Sequence, residues 1–300
     1  MLRKRLSIDT HGLLTPKRKT LVVCGPTAAG KSSLADALAE LLSEAYGAWV
    51  TTIVVDSMQI YEEIPTITNQ ARARPAEMVG IVSVAEEWTV GKHKEKAEAI
   101  ISSLAPNLPF VLDAGTGMYL NALILDIPLA PKVPEELRAK AEKVAAGAEN
   151  PRREARELEL KLARAPARGS IWDGDLRYET TLLYLRPPRK ALDRNIEVRS
   201  SKLARSGAEE AEKLLESGVK PNPSVRGAIG VKEMLLCASG KLSEKEAEET
   251  IAARTRRLAR RQIRWFDKLT RSLPEAARVL VVGDIEDSKI KHLMHDTIDA

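Results

Sequence analysis

Hydrophobic positions along the chain come in two patterns. At 21–24, 51–55, 109–113, 180–185 and 278–283 they form short, nearly unbroken runs rich in Val, Leu and other β-formers. A strand covered on both faces needs such a run, whereas a half-exposed strand alternates. Between these runs, apolar residues return every three or four positions, with polar residues on the remaining faces. That spacing predicts helices over 34–42, 91–104, from Met118 onward, and over 188–206, 208–217, 232–238 and 288–298. Ser243-Glu244-Lys245-Glu246 is a capping box opening a long helix that reaches about Thr270. Strand followed by helix, repeatedly, predicts an α/β fold: a parallel sheet with right-handed crossovers. Residues 64–77 read as an irregular loop and 78–84 as one more short strand. From 128 to 168 strand signals vanish and Ala, Glu, Arg and Lys predominate. Residues 128–177 are therefore read as a helical insertion in a core made of 21–127 and 178–300.

One loop turns this outline into a candidate site. The first apolar run passes into Gly25-Pro26-Thr27-Ala28-Ala29-Gly30-Lys31-Ser32-Ser33 and then into the first helix. Strand, glycine loop, helix is the context in which G-x-x-x-x-G-K-S holds phosphate. Gly25 and Gly30 let the backbone curl so that its N–H groups converge at a helix N-terminus. Lys31 adds a point charge, and the Ser32 hydroxyl can hold Mg2+ shared with the phosphates. The expected sheet is of the P-loop NTPase type, and the expected ligand carries a di- or triphosphate.

Other strand ends bear on what happens to that ligand. Asp56 follows the second run and opens Asp56-Ser57-Met58-Gln59-Ile60-Tyr61, at a position where open α/β sheets carry ligand contacts. It can serve there as metal ligand or as base. Asp113 precedes Ala114-Gly115-Thr116-Gly117 and can be read as the metal-directing acid of a nucleotide or small-molecule kinase. Thr116 can donate to a phosphate or a base edge, and Arg226, at a helix entry, can clamp a departing diphosphate.

Composition narrows the class. Aromatic residues are 4% and charged ones 30% of the chain, and no apolar run approaches the ~20 residues that span a bilayer, so no membrane partner is expected. The start is basic (Arg3, Lys4, Arg5, Lys17, Arg18, Lys19) without an apolar core, so 1–20 is read as a disordered tail rather than a secretory signal. Cys24 and Cys237 make no disulfide framework, which fits the cytoplasm. His11, His93, His292 and His295 share no zinc-site spacing with them. Trp88 and Trp172 read as packing residues. A net charge of +5 is small, so attraction for nucleic acid must come from local clustering. The long helix offers it: Arg254, Arg257, Arg261, Arg264 and Lys268 form one stripe beside Ile251, Leu258, Trp265 and Leu269. A solvated flank and a phosphate-backbone contact both remain open for that stripe.

Taken together, the motifs resemble the tRNA dimethylallyltransferase (tRNA isopentenyltransferase) family. The resemblance runs through Gly-Pro-Thr-Ala-Ala-Gly-Lys-Ser (25–32), Asp-Ser-Met-Gln-Ile-Tyr (56–61) and Gly-Thr-Gly-Met-Tyr-Leu (115–120). It continues through Ala-Ile-Gly-Val-Lys-Glu (228–233) and Arg-Arg-Leu-Ala-Arg-Arg-Gln-Ile-Arg-Trp-Phe (256–266). It implies transfer of a prenyl group from dimethylallyl diphosphate to the exocyclic amine of an adenine beside the anticodon. It implies further that the loop 25–33 and Arg226 hold the diphosphate and that Asp56 is the base. Ser57 and Gln59 would contact the adenine; tRNA, Mg2+ and the prenyl diphosphate would be its partners, and the protein is read as a monomer. The chain departs from the family at Asp113-Ala114, after Tyr61 and in its short insertion. A free adenine nucleotide as acceptor, a P-loop kinase and a non-catalytic RNA-binding relative therefore stay as alternatives.

Overall fold

The computed structural model describes residues 6–8, 14–129, 131, 133–149, 151–164, 170–285 and 290. A short antiparallel hairpin, β1 (Leu6–Ile8) and β2 (Leu14–Pro16), precedes the sheet. The five apolar runs then become β3 (Lys19–Cys24), β4 (Thr52–Val55), β5 (Phe110–Ala114), β6 (Glu179–Leu185) and β7 (Arg278–Val282). All neighbouring pairs are parallel, in the order β4-β5-β3-β6-β7. The helices on this sheet begin with α1 (Lys31–Tyr46), the four-residue α2 (Pro65–Thr68), α3 (Val90–Ser103) and α4 (Gly117–Ile124). Then come α5 (Glu135–Ala145), α6 (Pro151–Leu162), α7 (Arg189–Ser206), α8 (Ala208–Glu216), α9 (Pro223–Arg226), α10 (Val231–Ala238) and α11 (Glu244–Ser272).

The unbroken apolar runs have the cause read from the sequence. On β3, Leu21 and Val23 pack on one face with Leu34, Leu38 and Leu42 of α1, while Val22 and Cys24 enter the larger core on the other. The expected strand over 78–84 is corrected. Met78 has φ 69° and Gly80 φ 56°, left-handed values that interrupt an extended chain, and only the single bridges Ile53–Glu77 and Tyr61–Val82 form.

The insertion is a pair of helices, α5 and α6, which pack through Ala141, Ala145 and Ala155. Its two ends meet: Asp126 N donates to Asp175 O at 2.8 Å and Arg177 N to Ile124 O at 2.9 Å. Within the stretch read as a tail, residues 17–20 are anchored. Lys17 Nζ donates to Leu176 O, Arg18 donates to Ile101 O and to Leu104 O, and β3 begins at Lys19. The predicted helix over 288–298, apart from helical Ile290, lies outside the described residues, as do His11, His292 and His295. Among the described residues, no helix is long and apolar enough to cross a membrane.

Candidate active site

Three neighbouring strand ends build the site. The phosphate loop leaves β3, the turn 115–116 leaves β5, and Asp56 follows β4. They open into one cleft of about 1010 Å³ whose lining includes Thr27, Lys31, Ser32, Asp56 and Thr116. Two strand spacings put the loop and Asp56 about 10 Å apart.

The loop's shape follows from its residues. Gly25 has φ 150°, and a Cβ there would lie 2.4 Å from Leu185 O, so the loop can leave β3 beside β6 only as glycine. Ala28 and Gly30 are left-handed at φ 64° and 89°, and Gly30 caps α1. Lys31 Nζ donates to Pro26 O at 2.9 Å, drawing the lysine back over its own loop. Burial pushes the Lys31 pKa down, and the carboxylates of Asp113 and Asp56 oppose that. Of the nine loop residues, Thr27, Ala28, Gly30, Lys31, Ser32 and Ser33 line the cleft. Gly25 and Pro26 are buried beneath it and Ala29 packs toward α1, so these three shape the loop rather than face a ligand.

Asp56 is held by an Asx turn: its Oδ1 accepts from Met58 N at 2.8 Å and from Gln59 N at 3.3 Å. Oδ2 lies over Gly115, where an added Cβ would come within 2.5 Å of it and 3.9 Å of Lys31 Cε. Gly115 thus forms a floor between the carboxylate and the lysine stem. Thr116 Oγ1 accepts from Ser57 N at 3.0 Å and stands 3.4 Å from Ser57 Oγ, tying the β5 turn to the segment after β4. Gln59 lines the cleft, and its Oε1 is buried without a hydrogen-bond partner.

Three side chains that the sequence reading missed complete the frame. Gln262 of α11 accepts from Thr27 N through Oε1 and donates to Gly115 O through Nε2, both at 2.8 Å. One amide therefore spans the phosphate loop and the β5 turn. From α7, Asn195 Nδ2 donates to Ala28 O and Arg199 Nη1 to Thr27 Oγ1, each at 3.1 Å. These partners lie more than 150 residues from the loop in sequence, beyond any local pattern. The one hint was an amide, Gln262, on the same helical stripe as Leu258 and Trp265.

Asp113 proves to be occupied. Its Oδ2 receives Arg72 Nη1 at 2.6 Å, and Arg72 Nη2 reaches Asp36 Oδ1 at 2.6 Å, with all three side chains at most 5% exposed. An aspartate committed to a buried guanidinium is poorly placed to direct a metal, which removes the feature behind the kinase alternative.

The long helix divides its arginines. Arg254 is paired with buried Glu233 and donates to Gly227 O at 2.6 Å, and Arg256 meets Glu197 at 2.6 Å. Arg257, Arg261 and Arg264 are exposed and have no carboxylate partner among the described residues; Arg261 also lines the cleft. The apolar stripe is corrected too. Leu258 and Trp265 face the cleft, and Ile251, Thr255, Ala259, Phe266 and Leu269 are buried. Trp265 covers Gly117, where a Cβ would clash at 2.2 Å, and its Nε1 donates to Asn121 Oδ1 at 3.2 Å. Trp172 stacks on Trp265 at 4.8 Å between centroids, with Lys268 4.4 Å above its ring. Arg226 sits exposed on α9 and is absent from the cleft lining; the guanidinium beside the loop is that of Arg199.

Sheet order, glycine loop and a facing carboxylate define a P-loop-type α/β protein with one cleft shared by an anion cradle and an acid at the next strand end but one. Residues 59–269 match the family model described as IPP transferase, and the chain belongs to that family. A tRNA dimethylallyltransferase of Rubrobacter xylanophilus is 58% identical over 288 residues, covering 94% of this chain and 99% of its own. One of Rickettsia bellii is 30% identical over 84% of this chain and 88% of its own. The full-length tRNA isopentenylpyrophosphate transferase of Bacillus halodurans superposes with a TM-score of 0.65 at 25% identity, covering 94% of this chain and 96% of its own. A eukaryotic dimethylallyltransferase that acts on tRNA shares the fold, with a TM-score of 0.68 at 21% identity over 94% of this chain and 80% of its own.

Proposed function

We propose that this protein transfers a dimethylallyl group from dimethylallyl diphosphate to the exocyclic amine of an adenine beside the anticodon of tRNA, releasing diphosphate. The observation that carries this reading is the single cleft shared by the phosphate loop and Asp56. An allylic diphosphate develops negative charge on its leaving group as the C–O bond lengthens. Converging loop N–H groups and the Lys31 ammonium are the right partners for that charge. The adenine amine is a weak nucleophile because its lone pair is delocalised into the ring. A carboxylate that takes its proton as the C–N bond forms assists the attack, and that is the role assigned to Asp56.

The remaining roles follow from position. Ser57 and Gln59 flank Asp56, and the unpartnered Gln59 Oε1 offers an acceptor to a base edge. Thr116 holds that segment in register, and Arg226 is retained as an outer cation. A target base must leave its stack to enter a cleft of this depth. The donor set fits Mg2+: the Ser32 hydroxyl faces the cleft while Asp113 is engaged elsewhere, and magnesium is commonly held by one or two protein oxygens together with substrate phosphates and waters. When bound there, the ion would supply charge neutralisation to the diphosphate.

The exposed Arg257, Arg261 and Arg264, without a carboxylate partner among the described residues, favour a polyanionic acceptor over a free nucleotide. Action as a monomer in the cytoplasm belongs to the same proposal. The test is mass spectrometry of nucleosides from unmodified tRNA treated with the protein and dimethylallyl diphosphate, with AMP offered in parallel. Prenylated adenosine from tRNA is expected. Prenylated AMP alone, or phosphoryl transfer from ATP without prenyl transfer, would overturn the reading.

A further inference from the structure

Asp113 is an acid in the wall of an anion cradle. It belongs to the cleft lining together with Lys31 and Ser32, and among the carboxylates acting on Lys31 its charge is felt most strongly. The sheet fixes it there: Asp113 lies between Val23 of β3 and Val54 of β4, one residue before the end of β5. A second acid, Asp36 on the second turn of α1, is as deeply buried behind the loop. Left alone, the two carboxylates would oppose any anion the loop receives. Arg72 stands between them. Its Nη1 donates to Asp113 Oδ2 at 2.6 Å, and its Nη2 and Nε donate to Asp36 Oδ1 at 2.6 and 3.1 Å. Ala73 N donates to Asp36 Oδ2 at 3.0 Å, and Arg72 Nη2 stands 3.5 Å from the carbonyl of Ser32 in the loop itself. The same segment is clipped further along α1, where Arg74 pairs with Glu40 and donates to Ser43 Oγ at 3.1 Å. One guanidinium against two carboxylates leaves a net charge of −1 beneath the loop. Packing does not call for this arrangement, since apolar side chains of similar volume often replace a buried ionic triad without loss of stability.

We propose that Arg72 is a positioning residue behind the phosphate loop: it holds Asp36 and Asp113 in place and cancels half of their charge, which sets how tightly the loop grips a pyrophosphoryl group. The assignment rests on the transfer reading given above, in which the loop receives that group. A forked guanidinium suits the task because it meets two carboxylates at once. Affinity for pyrophosphate then follows the net charge of the three side chains, not the number of bridges between them.

The experiment titrates the full chain with inorganic pyrophosphate, without RNA and at one magnesium concentration. Asp113→Asn keeps an acceptor for Arg72 and brings the triad to neutrality, so pyrophosphate should bind about threefold more tightly than to wild type, or better. The same variant should melt at a lower temperature, because Arg72 loses a charged partner. Tighter binding by a less stable protein is a pair of signs that a mere brace cannot give. Arg72→Met leaves two carboxylates unopposed, and binding should weaken at least about tenfold. Arg72→Lys keeps the charge and should bind within about threefold of wild type. Asp36→Leu/Arg72→Met/Asp113→Val has neither bridge nor charge; it should also bind about threefold more tightly, and it supplies the reading if Arg72→Met does not fold. If neither neutral variant binds pyrophosphate more tightly than wild type, the assignment is overturned and Arg72 is a brace for α1. A wild type that binds pyrophosphate yet transfers no prenyl group would instead sink the transfer reading and leave the charge comparison standing.

Discussion

At the scale of single residues, the carboxylate of Asp56 is aimed by two backbone N–H groups and by the bare α-carbon of Gly115. Asp56→Asn keeps the shape and one acceptor but cannot take a proton. It is expected to lower kcat by roughly 10²–10⁴-fold. Pyrophosphate inhibition should stay within about threefold, since the loop N–H groups and the Lys31 ammonium that meet the anion remain in place; a fully active variant would end the base assignment. His93 offers a second test, unrelated to turnover. It is 1% exposed and stands 3.2 Å from the Trp88 Nε1 that donates to its Nδ1. Burial holds its pKa down to about 4, below the ordinary 6.5. Between those values the unfolded chain binds a proton that the folded protein refuses. Stability should therefore fall as pH drops from 6.5 toward 4, by on the order of 3 kcal/mol. Urea unfolding of wild type and His93→Phe across that range checks this, and parallel curves would refute it.

At the scale of elements, the sheet was legible because buried parallel strands announce themselves as continuous apolar runs, and the loop because glycine, lysine and serine sit at a strand–helix junction. Legibility stopped at contacts made between distant segments. Gln262, Asn195 and Arg199 reach the loop from α11 and α7; Gln262 stands in the 256–266 stretch that carries the family resemblance, but no local pattern assigns any of the three to the loop. Likewise Asp113 reads locally as a strand-end acid, and only the fold reveals Arg72 upon it. The strand expected over 78–84 failed because apolar content alone cannot foresee two left-handed residues. α11 is the element that closes the frame, so its amide carries a prediction. Gln262→Ala releases both Thr27 N and Gly115 O, freeing the loop to shift against Asp56. A displacement near 1 Å can cost about 10²-fold in rate, so kcat should fall by about that factor with RNA affinity nearly unchanged. Gln262→Glu keeps the bond from Thr27 N but loses the donation to Gly115 O, and intermediate activity is expected. Wild-type kcat in both variants would show that the bridge is incidental.

At the scale of the whole molecule, the net charge of +5 conceals an asymmetry. Arg72 and Arg254 are spent on the buried acids Asp36, Asp113 and Glu233, and Arg256 and Arg186 on the surface pairs with Glu197 and Asp267, whereas Arg257, Arg261 and Arg264 face solvent along one helix. If these three meet RNA phosphates, replacing them with Ala should flatten the log–log dependence of RNA affinity on salt by about one per contact removed. Filter binding across a salt series measures that slope, and an unaltered slope would return the stripe to a solvated flank.

The insertion has a different bearing on how such proteins diversify. Its entry at Ile124–Asp126 and its exit at Asp175–Arg177 are stitched side by side, and between them α5 and α6 pack on each other, with Arg138 on Glu87 and Trp172 on Trp265 as contacts to the body. A lineage can shorten, lengthen or exchange that appendage without re-threading the sheet or shifting the strand ends that carry the loop, Asp56 and Thr116.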